Sequence, residues 1–157
     1  MNRTFTRINR LFVAVTTTIL VSTMTAPGAL WVDVNWTGTG SGTSSDPYTS
    51  IRDAVTAAAG AQTIYIADGT YNDAVEDFSG SGQIAITQGH TFLAGYVGHT
   101  GGSSFDWTNR TPRDTVVDLN GTSVRAFYST SDPTPTFDGF TFRNANNSLN
   151  GGAVQLG

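Results

Sequence analysis

An all-β chain wound as a solenoid, closed at its start by one short helix, is the fold this sequence predicts. Three observations predict it. Short apolar strands recur, separated by Gly, Asn and Asp turns. Comparable apolar centres at Ile64, Phe92, Val116 and Phe140 lie 28, 24 and 24 residues apart, and fixed periods of this size mark repeat architectures. After Gly60 no stretch carries a helical pattern. Strands at spacings of about 8–12 residues also suit a sandwich. The period selects the solenoid, in which each coil stacks on the last and buries its inward side chains.

The chain opens with Arg3, Arg7 and Arg10 as its only early charges, then the uncharged run Leu11–Val21, then small residues around Thr23–Ala29. A basic, an apolar and a small-residue region in that order make a secretory signal. Leu11–Val21 is about half the roughly 20 apolar residues a membrane span needs. Ala26-Pro27-Gly28 places cleavage after Gly28, leaving 157 − 28 = 129 residues for one domain. The expected location is secreted or at the cell surface, with no membrane insertion after cleavage.

Three of the eight arginines leave with the signal and all twelve acids stay, so the mature net charge is 5 − 12 = −7, with no lysine. A nucleic-acid partner, which needs a basic stripe, is excluded on that ground. There is no cysteine, so the fold rests on its apolar core and backbone hydrogen bonds rather than disulfides.

Trp31–Asn35 alternates apolar and polar side chains and reads as a first strand. Thr37–Ser45 is a Gly/Ser/Thr loop closed by Asp46-Pro47. Thr49 or Ser50 is then placed to cap a helix of about three turns, whose face is Ile51, Ala54, Val55 and Ala58 and whose end is Gly60. Such a helix suits the open end of coil one, where it covers unpaired strand edges. Strands follow at Thr63–Ala67, Gln83–Thr87, Thr91–Ala94, Thr115–Leu119, Val124–Ser129, Thr136–Arg143 and Ala153–Leu156. The expected divisions are 1–28 signal, 29–60 strand, loop and capping helix, and 61–157 first coils.

Trp31–Asn35, the Gly/Ser loop and Asp46–Val75, with Asp68-Gly69-Thr70-Tyr71 as a turn, resemble the start of secreted bacterial right-handed parallel β-helix proteins of the pectin-lyase-like superfamily. Leu93–Gly98, Arg113–Gly121 and Pro135–Leu156 resemble later coils of the same group. The resemblance covers nearly the whole mature chain and implies a right-handed parallel β-helix. It also implies that the stretch is truncated, ending on a fresh Gly-Gly-Ala-Val strand with an open edge for self-association. Activity does not follow, since lyases, hydrolases, esterases and adhesins share this scaffold. The esterase branch is disfavoured: where that group carries Gln before Ala-Val, this chain has Gly152 before Ala153-Val154.

No catalytic set is legible. Glycosidases need two carboxylates within reach of one bond. Asp73, Glu76 and Asp77 read as a solvated turn. Asp118 and Asp138, on strands of successive coils, are the pair a solenoid could stack within reach of each other. Calcium needs several clustered oxygens; no D-x-D-x-D run exists, and Asp132 precedes Pro133. His90 and His99 lack zinc spacing, no G-x-S-x-G occurs, and Gly38–Gly42 has no lysine to make a phosphate loop. No metal or cofactor is expected. Trp31, Trp36, Tyr48, Tyr96, Phe105 and Trp107 are read as packing the cap and the 98–114 loop, with Trp107 also a candidate sugar contact. Asn144, Asn146 and Asn147 read as structural turn amides. The expectation is an exported scaffold or binding module with a carbohydrate or other surface ligand, candidate contacts Asp118, Asp138 and Trp107, and no catalysis in this stretch. The alternative is the head of a polysaccharide lyase or glycoside hydrolase whose active site lies beyond Gly157.

Overall fold

Alternation of inward and outward side chains decides the first strands. Leu30 and Val32 in β1 (Ala29–Val32), and Ile64 and Ile66 in β2 (Thr63–Ala67), are buried, while the residues between them face out. The computed structural model describes residues 28–99, 106–112, 114–129, 134–146 and 152–157. Residues 1–27 of the expected signal segment, Phe105, Asp132-Pro133 and Asn147 lie outside them.

Past β2 come β3 (Gly69–Asn72), the short helix α2 (Asp73–Glu76), β4 (Ile84–Ala85) and β5 (Thr91–Val97). Then follow β6 (Asp106–Arg110), β7 (Thr115–Asp118), β8 (Phe127–Ser129), β9 (Thr136–Asp138), β10 (Phe140–Arg143) and β11 (Val154–Leu156). The strands form three sheets. One holds β1, β2, β5 and β9 in parallel, with β6 antiparallel at the far end of β5; the second is β3-β7-β10; the third is β4-β8-β11. Every pairing in the second and third sheets is parallel. From β2 onward each pass of the chain adds one parallel strand to each sheet, which is a solenoid-like arrangement. The structure is predominantly β.

The interior is apolar and in register. Leu30 aligns with Ile64, Ile64 with Phe92, and Phe92 with Phe137. Tyr71, Val117 and Phe142 align in the second sheet, and Ile84, Phe127 and Val154 in the third. The expected repeat is therefore corrected. Ile64 and Phe92 do share a side, 28 residues apart. Val116 belongs to another side, where it pairs with Thr70 and Thr141, and Phe140 pairs with Thr115. From Phe92 to its true successor Phe137 is 45 residues, because the excursion bearing β6 is spliced into that pass.

The helix α1 (Ile51–Ala57) starts where expected: Ser50 is the N-cap, its Oγ accepting from the Asp53 amide at 3.0 Å. It is shorter than expected, ending with Ala58 as C-cap rather than running to Gly60. Ile51 and Ala54 are fully buried, and α1 packs against β1 and β4. The Gly-Thr-Tyr segment, expected as a turn, is strand β3. The strand expected at Thr136–Arg143 is broken in two at Gly139 by a φ of 89°.

The Gly/Ser loop is tied down by Asp46. Its carboxylate accepts from the Trp36 indole at 2.7 Å, the Gly40 amide at 2.9 Å, the Thr39 hydroxyl at 2.8 Å and the Ser41 amide at 3.0 Å. Those donors, the Gly40 amide foremost, hold the Asp46 carboxyl well below the usual carboxylate range.

Candidate functional site

The end of the second sheet is built from polar residues in register. Asn72 of β3 aligns with Asp118 of β7, and Asp118 with Arg143 of β10. Beyond Asn72 the chain turns into α2, with the Asn72 side chain accepting from the Ala74 amide at 3.1 Å. Asp73 accepts from the Ser79 amide at 2.5 Å and the Ser79 hydroxyl at 2.7 Å, closing the loop after α2. Beyond Asp118, Asn120 takes a left-handed conformation with φ 49° and Asn144 does the same at 55°. Asparagine tolerates that region better than most side chains.

Asp118 organises this corner. One carboxylate oxygen accepts from the Asn120 amide at 2.9 Å and the Asn144 side-chain amide at 2.8 Å; the other accepts from Arg143 Nε at 2.8 Å. The Asn120 amide first, then Asn144 and Arg143, hold the Asp118 carboxyl below its ordinary value. A cleft of about 310 Å³ opens beside it, lined by Asn72, Asp73, Ala74, Asp118 and Asn120. Two amides and two carboxylates present the donors and acceptors that sugar hydroxyls take up. General-acid chemistry does not fit Asp118, which stays ionised at neutral pH with both oxygens engaged.

The expected pairing of Asp118 with Asp138 is overturned. Asp138 sits in the first sheet, aligned with Leu93, and its carboxylate meets Arg110 Nη1 at 2.9 Å. The two acids are on different sides of the stack because the period merged two sides into one.

Trp107 donates from its indole to the Ser44 carbonyl at 3.0 Å and lies 5.9 Å from the Tyr96 ring. On the outer face of the first sheet Trp31 stacks on Tyr65 at 5.5 Å, Tyr65 meets Tyr96 edge-on at 5.4 Å, and Arg110 lies over Tyr96. These rings spend their faces on one another, joining the two excursions to the sheet. His90 is buried, its Nδ1 accepting from the Gln62 amide at 3.2 Å, and His99 lies edge-on to Trp36.

Two acids are buried, one of them against what the sequence suggested. Glu76, expected in a solvated turn, is fully buried, as is Asp33, which accepts from the amides of Asn35 and His99. Burial pushes the Asp33 carboxyl up, against the pull of those amides. Neither placement has a local signal, since the burying groups lie up to 66 residues away. Among the described residues no group of three or more His, Cys, Asp or Glu could hold a metal ion. No helix among them is long and apolar enough to cross a membrane.

A family described as a protein of unknown function, DUF1565, matches residues 34–157. No curated protein and no solved structure matches the chain.

Proposed function

The chain belongs to the DUF1565 family, and from there we propose that it is an exported right-handed parallel β-helix of the pectin-lyase-like kind, a carbohydrate-binding module outside the cell or at its surface. Export rests on the basic, apolar and small-residue segments of residues 1–28. The handedness and the kinship rest on the resembling segments, together with three parallel sheets each fed once per pass. The observation that carries the ligand is the cleft at Asp118, a concave surface lined by amide and carboxylate groups.

Ala74 is exposed on the cleft wall and outside the core. Ala74→Trp is therefore expected to fill the cleft without unfolding the chain. Retention of the purified chain on insoluble polysaccharides is expected to weaken about tenfold or more, about 1.4 kcal/mol. Unchanged retention by this variant, or no retention of the parent on any polysaccharide, would sink the reading. The enzymatic alternative, a lyase or hydrolase completed by residues beyond Gly157, draws no support from Asp118, which is held as a carboxylate.

The same reading includes self-association. Among the described residues β9, β10 and β11 each pair on one side only, and Leu156 in β11 is 47% exposed. Free strand edges of this kind recruit other strands. Sedimentation velocity should show mass rising with concentration, and Leu156→Lys on β11 should abolish the rise. A single monomer boundary at all concentrations would refute this part.

A further inference from the structure

The cleft at the end of the second sheet has more acceptors than donors. A carboxylate presents about four lone-pair directions and no donor. Asp73 accepts from the Ser79 amide and hydroxyl, which leaves about two of its directions open. Asp118 accepts from the Asn120 amide, the Asn144 side chain and Arg143 Nε, which leaves about one. The side-chain donors of the lining are the amide groups of Asn72 and Asn120. A ligand that fits this surface brings donors to it.

Charge is equally one-sided. Two of the five lining residues are acids and none is a base. Arg143 bonds to Asp118, but from β10, and β7 stands between β10 and Asn72 of β3. The two walls come from successive passes of the chain, Asn72–Ala74 from the end of β3 and the start of α2, Asp118 and Asn120 from β7 and the turn after it. The pairing of β3 with β7 fixes these passes, and each carboxylate is tied to its own turn. Both acids are therefore in place before a ligand arrives, which lowers the cost of binding. At about 310 Å³ the cleft is at the small end of ligand sites, so it holds a short stretch of glycan.

Resting on the carbohydrate reading above, we propose that this cleft selects sugars bearing a free, protonated amine, with Asp73 and Asp118 as the groups that recognise it. An ammonium group brings three donors, no acceptor and the opposite charge. A sugar hydroxyl both donates and accepts, and an acetamido group brings one N–H with one carbonyl and no charge. A uronate carboxylate only accepts, and it sets a like charge beside two others. It also approaches a chain whose net charge is already −4. Asp73, with more of its lone pairs open, takes the larger share of the ammonium.

Titration calorimetry of the purified chain tests this with three oligomers of equal length: glucosamine, the same oligomer N-acetylated, and galacturonate. The titrations are run at about pH 6, below the ordinary range of an amine. The amino form should bind about tenfold or more tightly than the acetylated form, the usual weight of a hydrogen bond to a charged group. Galacturonate should not bind. Asp73→Asn keeps an oxygen for the Ser79 amide and should bring the amino and acetylated forms to within about threefold of each other. If that variant fails to fold, salt decides: raising sodium chloride from about 0.05 M to about 0.5 M should shrink the preference of the parent chain. Equal or tighter binding of the acetylated form, binding of galacturonate, or a preference untouched by Asp73→Asn or by salt would each overturn the proposal and leave the carbohydrate reading standing. Amino-oligomer binding that survives Ala74→Trp belongs to the acidic surface at large and overturns it too. No binding of the amino oligomer also overturns it; the carbohydrate reading falls separately, when no polysaccharide retains the chain.

Discussion

Phe92→Ala is expected to destabilise the chain by about 3–5 kcal/mol, the range for deleting a buried phenyl. Phe92 is completely buried. Its ring stacks on Phe137 at 4.9 Å, nearly coplanar, tilts against Phe127 at 5.4 Å and meets His90 edge-on at 5.8 Å. Phe137 and Phe127 belong to the first and third sheets, so the ring fills the junction between two sides of the stack. Those sides are fixed by their backbone pairings and cannot close over the void, which places the cost at the upper end. Domains of this size have about 5–15 kcal/mol in all, so the variant should be near the limit of folding. Urea unfolding followed by fluorescence gives the value. Phe92→Leu, which keeps most of the volume, should lose less than half as much. A loss below about 1 kcal/mol for alanine would mean that the ring does not fill this junction.

Gly139→Ala should cost about 3 kcal/mol or more, for two separable reasons. The residue turns the chain from β9 into β10 at a φ of 89°, a region that side chains with a Cβ rarely adopt. An added Cβ would also stand 2.4 Å from the Ala94 carbonyl oxygen. That oxygen is backbone in β5 and accepts from Arg110 Nε at 3.0 Å, so it cannot swing aside. Gly121 is the control: its φ is 74° and nothing lies within 4 Å of an added Cβ. Gly121→Ala should carry the conformational cost alone, about 1 kcal/mol. Thermal melts of the two variants measure the difference. Equal shifts would mean that the approach to Ala94 carries no energy.

Local signals explain which parts of this architecture the sequence discloses. The N-cap at Ser50 and the spacing of Ile51 and Ala54 are set within a few residues, and α1 appears there. Strands with strong alternation, such as β2, are equally plain. The side to which a strand belongs is not local. An apolar centre flanked by polar residues looks alike on every side of a solenoid, so Phe92 and Val116 passed for neighbours in one series. β3 was masked by Gly69 and Thr70, which read as turn formers; it is a strand because β7 pairs with it along four positions. β6 lay within what read as a loop. Asp118 was legible as a candidate, but its partners Arg143 and Asn144, 25 and 26 residues on, depend on register that only pairing reveals. Glu76 could not be found at all: its charge and its Asp neighbours advertise a surface, while the helix that buries it ends 19 positions earlier.

The in-register pairing also sets how this chain tolerates change. In Leu30, Ile64, Phe92 and Phe137, each residue meets the next across a strand spacing, although 28 to 45 positions separate them in sequence. The residue beside Phe92 along the chain, Leu93, points the other way. Volume lost at one tier is thus made good at the tier above or below, seldom by a neighbour in sequence. Drift in this sequence should accordingly run as paired substitutions along vertical columns, with large-for-small exchanges compensating between tiers. Each column can change its composition while the chain between its members stays as it is.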